Sequence, residues 1–254
     1  MSNVASFYDR LAPYFHLLYG DWHASIARQG AALAQLFRAH GVQPGEAILD
    51  AACGIGTQAI GLLANGYEVA ASDCSPGAIE RLKSEVSKRA LNCRAYVDDL
   101  RSLIHSASGM FGAVIACDNS IPHLLSDKEL LDCFRSCLRC LKPGGLGVFS
   151  VRDYAAIPRV NPDVRPYGVH NTSEGRFLAV QVWDWDEDQY DLRIYLTLER
   201  PDGICTTEVL RSRYYAVTID RLLTLMHEAG FVATQRTDDV LFQPVLIGKR
   251  ADAA

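Results

Sequence analysis

An acid that closes a short apolar run and is followed at once by a glycine turn constrains this chain more than any other feature. Residues 47–50 read Ala-Ile-Leu-Asp, and Asp50-Ala51-Ala52-Cys53-Gly54-Ile55-Gly56-Thr57 follows. The apolar run predicts a buried strand, and residues 57–64 predict a helix. Glycines between them let the backbone reverse sharply and approach a ligand closely. The alternation continues along the chain. Strands are predicted at 67–72, 93–97, 111–117 and 146–151. One helix starts at Pro76, where a proline suits the first turn, and another runs from the Ser126/Glu129 capping box to Leu141. Pro143-Gly144-Gly145 turns into the strand that follows it. Strands alternating with helices point to an α/β fold with a parallel sheet covered on both faces.

Both ends of this pattern differ from its middle. Residues 8–40 read as helical, closed by Gly41 and Pro44-Gly45. Residues 152–175 are rich in Pro, Asn, Asp and Gly and are predicted to be irregular. Residues 176–215 alternate apolar and polar positions, broken at 186–188 and 201–203, which predicts three antiparallel strands. A helix at 219–229 and strands at 231–237 and 240–248 complete the sheet. An insertion at this point covers the carboxyl ends of the strands, where open α/β sheets bind ligands.

Composition removes several function classes. The formal net charge is −5 and no block of Lys and Arg stands out, which argues against a nucleic-acid partner. No apolar run is long enough to span a membrane, and residues 1–10 do not read as a secretory leader. Of eight cysteines, Cys53, Cys74, Cys93 and Cys117 lie in or beside predicted strands, and Cys133, Cys137 and Cys140 share a helix face. That face could suggest a thiolate metal site, but no CxxC pairs with a second one or with a His pair. Small thiols filling a buried face fit better. The expectation is a cytoplasmic protein with reduced thiols and no metal.

Gly54, Gly56 and Ala59, with Asp73 about twenty residues on, also match a dinucleotide fingerprint. Asp50 separates the readings. It sits where a pyrophosphate would come close, and like charges there repel, whereas a sulfonium and an ammonium would be welcome. Here the sequence resembles the class I S-adenosylmethionine (SAM)-dependent methyltransferases, from about residue 49 to 151. The resemblance implies their seven-stranded Rossmann-like sheet, with an antiparallel β insertion covering the active site. It divides the chain into a helical lid over the SAM site (1–45), a SAM-binding domain (46–151 and 216–254) and a substrate cap (152–215). It implies SAM contacts at Tyr19, Arg28, Ala52, Gly54, Gly56, Thr57, Asp73, Cys74, Asp99, Leu100, Cys117 and His123. Among these, Asp73 would bind the ribose hydroxyls and Asp99-Leu100 the adenine. The product would be S-adenosylhomocysteine.

Cys117-Asp118-Asn119-Ser120-Ile121-Pro122-His123 and Val151-Arg152-Asp153-Tyr154 are similar to segments of the glycine and glycine/sarcosine N-methyltransferase group. That likeness implies catalytic roles for Tyr8, Tyr19, Asn119 and Arg152. It implies acceptor contacts at Tyr8, Asn119, Arg152, Tyr214 and Tyr215, and Trp183 in the cap could add an aromatic wall. Asp118 departs from the glycine common at its position, the N-terminal segment is shorter than in the animal enzymes, and Val182-Trp183-Asp184-Trp185-Asp186 has no counterpart in glycine binding. Plainer roles compete: a salt bridge of Arg152 with Asp153, a turn at Asn119, a helix cap at His123, helix packing for the tyrosines, and packing of the insertion for Trp183. The expected activity is N-methylation of a small amine such as glycine or sarcosine. The alternative is methylation of a nitrogen heterocycle in secondary metabolism, an azapteridine for example. A dinucleotide oxidoreductase and a catalytically silent SAM-binding module are the competing classes.

Overall fold

A computed structural model describes residues 3–252. Its main sheet has seven strands in the order β10-β11-β5-β4-β1-β2-β3. They are β1 (Ala47–Asp50), β2 (Glu68–Asp73), β3 (Arg94–Val97), β4 (Phe111–Ala116), β5 (Leu141–Ser150), β10 (Phe231–Thr237) and β11 (Val245–Arg250). The first five run parallel, and β11 is antiparallel to both β5 and β10. The chain winds outward from β1 to β3, then returns to β4 beside β1. The strand order therefore reverses between β1 and β4, and a crevice opens at their carboxyl ends.

Helices cover both faces because β1 and β4 are apolar on both sides. α2 (Trp22–Ala39), α3 (Thr57–Ala64) and α4 (Pro76–Lys88) close one core around Ile48, Ile60, Leu82 and Ile115. α5 (Asp127–Cys140) and α6 (Ile219–Ala229) close the other around Leu49, Val114, Phe134, Phe149 and Phe231. Cys133, Cys137 and Cys140 are fully buried in that second core. Caps start four of these helices: Asp21, Ser75, Ser126 and Thr218 each accept a backbone N–H with the side chain.

The N-terminal helical stretch is broken where one continuous stretch was predicted. α1 (Asn3–Leu11) stops before Pro13, a 3₁₀ turn spans Phe15–Leu18, and α2 begins after Gly20 with Asp21 as its cap. The break lets α1 pack on α4 while α2 lies on α3. The Asp9 carboxylate on α1 accepts from Ser75 Oγ (2.6 Å) and Gly77 N (2.8 Å).

The insertion forms a second sheet of four antiparallel strands, β6 (Asp163–Thr172), β7 (Gly175–Asp186), β8 (Gln189–Glu199) and β9 (Cys205–Tyr215). β6 corrects the irregular reading of 152–175. It is an edge strand, where Pro166 is tolerated, and its register shifts between Pro166 and Gly168, where Gly168 takes φ 105°. Pairing with β7 thus overrides weak local propensity. One face of this sheet, with Trp183, Tyr190, Leu192, Ile194, Leu210 and Tyr214, packs with Phe7 and Leu11 of α1 and with Tyr154.

Candidate functional site

A cleft of about 940 Å³ lies at the reversal point, between the carboxyl ends of β1 and β4 and the N-terminal segment. The glycine turn forms its floor, and the two glycines there do different things. Gly54 (φ 51°) faces the cleft, and its N–H donates to Asp73 Oδ2 at 2.9 Å. Gly56 (φ 94°) faces inward, where an added Cβ would stand 2.2 Å from Leu82 Cδ1. Gly56 is outside the cleft lining, so packing and a left-handed backbone account for it.

Acids dominate the electrostatics. Asp73, Asp99 and Asp118 line the cleft, and Arg101, its lining cation, is already paired with Asp99 and Glu129. Asp73 accepts from the backbone of Gly54 and Ser75, yet burial still pushes its carboxyl up. Hydrogen bonds from Arg101 hold Asp99 below the usual carboxylate range. Asp98 is a structural acid that accepts from the backbone of Asp99, Ile104 and His105.

Asp50 lies beneath the floor with no exposed surface, and neither carboxylate oxygen has a hydrogen-bond partner. Burial first, then Asp73 and Asp118, raise its pKa to about 8, eased only by the nearby amides of Ala59 and Ala52. A buried acid in that state is stabilised by a positive charge placed nearby.

A directed chain of hydrogen bonds joins the N-terminal segment to the cleft. Trp22 Nε1 donates to Thr57 Oγ1 (2.9 Å), Thr57 to Tyr19 Oη (3.3 Å) and Tyr19 to Asp118 Oδ2 (2.9 Å). Gln58 Nε2 donates to the same Asp118 oxygen (3.0 Å) and to Gln29 Oε1 (2.8 Å). Burial and the Asp118 charge raise the Tyr19 pKa well above normal. Asp118 and Asn119 both take positive φ, 54° and 64°. Asp118 and Gln58 are cleft residues that the sequence reading missed. The only sign was an acid where a glycine is usual, at a position whose left-handed backbone favours glycine.

On the acceptor side, Tyr8 and His123 line the cleft, with Tyr8 Oη 2.9 Å from His123 Nε2. Burial, with a smaller contribution from Arg152, lowers the His123 pKa to about 3, so the ring is neutral. Asn119 lies behind them. Its amide donates to Tyr154 Oη (2.8 Å) and its carbonyl accepts from Arg152 N (3.0 Å), so it ties the end of β4 to the end of β5. Arg152 makes no salt bridge with Asp153, which pairs instead with Arg236. Its guanidinium donates to Tyr167 Oη (3.2 Å) and lies 5.3 Å from the Trp183 ring centroid.

Other expected contacts are placed elsewhere. Arg28 sits on the exposed face of α2, 3.2 Å from Ser25 Oγ and outside the cleft lining. Ala52, Cys74, Leu100 and Cys117 line the cleft. Tyr214 points inward and stacks on Tyr190, whereas its neighbour Tyr215 points to the opposite face and donates to Asp127. Trp183 is 1% exposed, with Tyr190 stacked at 4.4 Å and Arg165 3.9 Å from its centroid, so both broad faces are covered. Among the described residues no group of three or more His, Cys, Asp or Glu could hold a metal, and no helix is long and apolar enough to cross a membrane.

Residues 48–145 match the family described as a methyltransferase domain. A glycine/sarcosine N-methyltransferase of Parasynechococcus marenigrum is 30% identical over 134 residues, 53% of this chain and 46% of that protein. One of Halorhodospira halochloris is 28% identical over 211 residues, 83% of this chain and 74% of that protein. The chain spans about half the length of several curated relatives it matches. Among solved structures, DesVI of Streptomyces venezuelae superposes with a TM-score of 0.80 at 16% identity, covering 96% of this chain and 98% of that one. That likeness is one of fold.

Proposed function

The chain carries a methyltransferase domain and has the SAM-dependent methyltransferase fold; from that premise we propose that it N-methylates a small amine that bears a carboxylate, as glycine and sarcosine do. The observation that carries the acceptor reading is Arg152. It is a cation facing tyrosines and a tryptophan, with no carboxylate partner among the described residues, and it stands beside Asn119 behind the residues that line the cleft. A planar fork of donors that lacks a carboxylate in this way suits an acceptor carboxylate. The glycine/sarcosine N-methyltransferases among the relatives support the same class.

SAM fits the residues present. Its sulfonium and ammonium suit a cleft lined by three acids with a fourth beneath its floor, whereas a pyrophosphate would be repelled. The unpartnered Asp50 is the specific sign. Asp73 and Asp99 would hold the ribose and adenine, and Tyr19, Thr57, Gln58 and Asp118 the amino-acid end. When bound, SAM supplies an activated methyl group. The residues 1–45 would act as a lid and 152–215 as a substrate cap.

The chain contributes position and a dry site. Arg152 anchors the acceptor carboxylate, Asn119 sets Arg152, and Tyr8 offers its oxygen to the amine, which must arrive unprotonated to react. His123 stays neutral and takes no part in storing the proton. The heterocycle alternative drew on an aromatic-lined insertion and on the non-glycine Asp118; the covered faces of the Trp183 ring give the first no support, and Asp118 is engaged by Tyr19 and Gln58. The test is transfer of labelled methyl from SAM to glycine, sarcosine and carboxylate-free amines. Label in the first two supports the proposal. Label confined to carboxylate-free acceptors refutes it.

A further inference from the structure

Ser212 reaches the site from the cap. The two-residue period of β9 turns Leu210, Ser212 and Tyr214 inward while Arg211 and Arg213 face out. Ser212 is buried, and its Oγ lies 3.2 Å from His123 Nδ1. The opposite ring nitrogen, Nε2, lies 2.9 Å from Tyr8 Oη. A serine hydroxyl can donate or accept, so these two distances alone permit either tautomer. The proposed role of Tyr8 decides between them: an acceptor amine needs the Tyr8 lone pairs, and only an unprotonated Nε2 leaves them unused.

We propose that Ser212 is a positioning residue. Its Oγ accepts from Nδ1–H and keeps the His123 proton there, so that Nε2 accepts the Tyr8 O–H and the Tyr8 oxygen turns its lone pairs to the cleft. The assembly spans three parts of the fold: β9, the 3₁₀ turn Ile121–His123 and α1. The Tyr214 ring lies against the His123 ring, 4.0 Å between centroids and tilted by 39°, and keeps it from rotating. In the opposite tautomer Nε2–H would donate to Tyr8, which would occupy one of the lone pairs the site needs. The inference rests on the reading of Tyr8 as the residue facing the acceptor amine.

The experiment is a ¹⁵N-histidine NMR spectrum of the full chain, with the His123 signals assigned by their loss in His123→Gln. In the wild type, Nε2 is expected at the unprotonated ring-nitrogen position and Nδ1 at the protonated one. A protonated Nε2 overturns the proposal, and this result needs no variant to fold. In Ser212→Ala the two nitrogens are expected to move toward averaged positions. In the same variant kcat should fall about 3- to 10-fold, the scale of one lost hydrogen bond, and Ser212→Thr should restore both. A Ser212→Ala protein with unchanged nitrogen positions and unchanged kcat also overturns it. The spectrum is recorded without an acceptor, so an error in the acceptor class leaves it untouched and shows only in the methyl-transfer assay.

Discussion

Asp50→Asn gives a stability and a binding result of predictable sign. The wild-type carboxyl has a folded pKa of about 8 and an unfolded one of about 3.9. Between those values the folded protein keeps a proton that the unfolded chain has released, so Asp50 makes folding less favourable as pH rises from about 4 and levels off near 8. Each unit costs about 1.4 kcal/mol, which gives about 4 kcal/mol at pH 7. Asparagine does not ionise, but its amide enters a place with no hydrogen-bond partner, at a cost of about 1–3 kcal/mol. The two stability curves should therefore cross between about pH 5 and 6. The variant should be less stable below the crossing and more stable by about 1–3 kcal/mol at pH 7. Urea denaturation of ligand-free protein from pH 4 to 8 measures this. Calorimetry in buffers of different ionisation enthalpy gives the second half. SAM binding to the wild type at pH 7 should release close to one proton, and binding to the variant should be weaker and release none from this site. A stability difference that does not change with pH, or a variant less stable at pH 7, refutes the account of Asp50.

Three further outcomes test other parts of the site. Arg152→Met should raise the KM for a carboxylate-bearing acceptor by about 10- to 100-fold, the worth of a charged hydrogen bond, while the SAM Kd from calorimetry stays within a factor of two or so. Tyr19→Phe removes the donor to Asp118 and should weaken SAM binding by about 3- to 10-fold, again by calorimetry. Gly61→Ala places a Cβ 2.5 Å from the Ile26 carbonyl and 2.8 Å from Gly30 Cα. The α2–α3 crossing should then be forced apart, with a loss of about 1–3 kcal/mol in urea denaturation.

Much of the fold was legible because short-range chemistry decides it. The run that ends at Asp50, the glycine turn, Pro76 and the Ser126 cap each select an element within a few residues, and their alternation leaves few topologies open. The acids expected on the cofactor side came from the same local signals, since Asp73 ends β2 and Asp99 follows β3, and both line the cleft. β6 was missed for the converse reason. Its prolines, asparagines and glycines favour turns, and only the partner strand β7 supplies the hydrogen bonds and register that make it a strand.

The acceptor side depended on the tertiary structure. No spacing along the chain shows that Tyr8, His123 and Ser212, from α1, a turn and β9, form one hydrogen-bonded set. Nor does it show that Tyr214 faces the site while Tyr215 faces Asp127, or that Asp153 pairs with Arg236 rather than with Arg152. The acid that ends β1 shows the division most clearly. Its place in the sequence already pointed to a positively charged ligand. Its unpartnered, proton-holding state arose only when folding buried it beside Asp73 and Asp118, because desolvation and like charge act through space rather than along the chain.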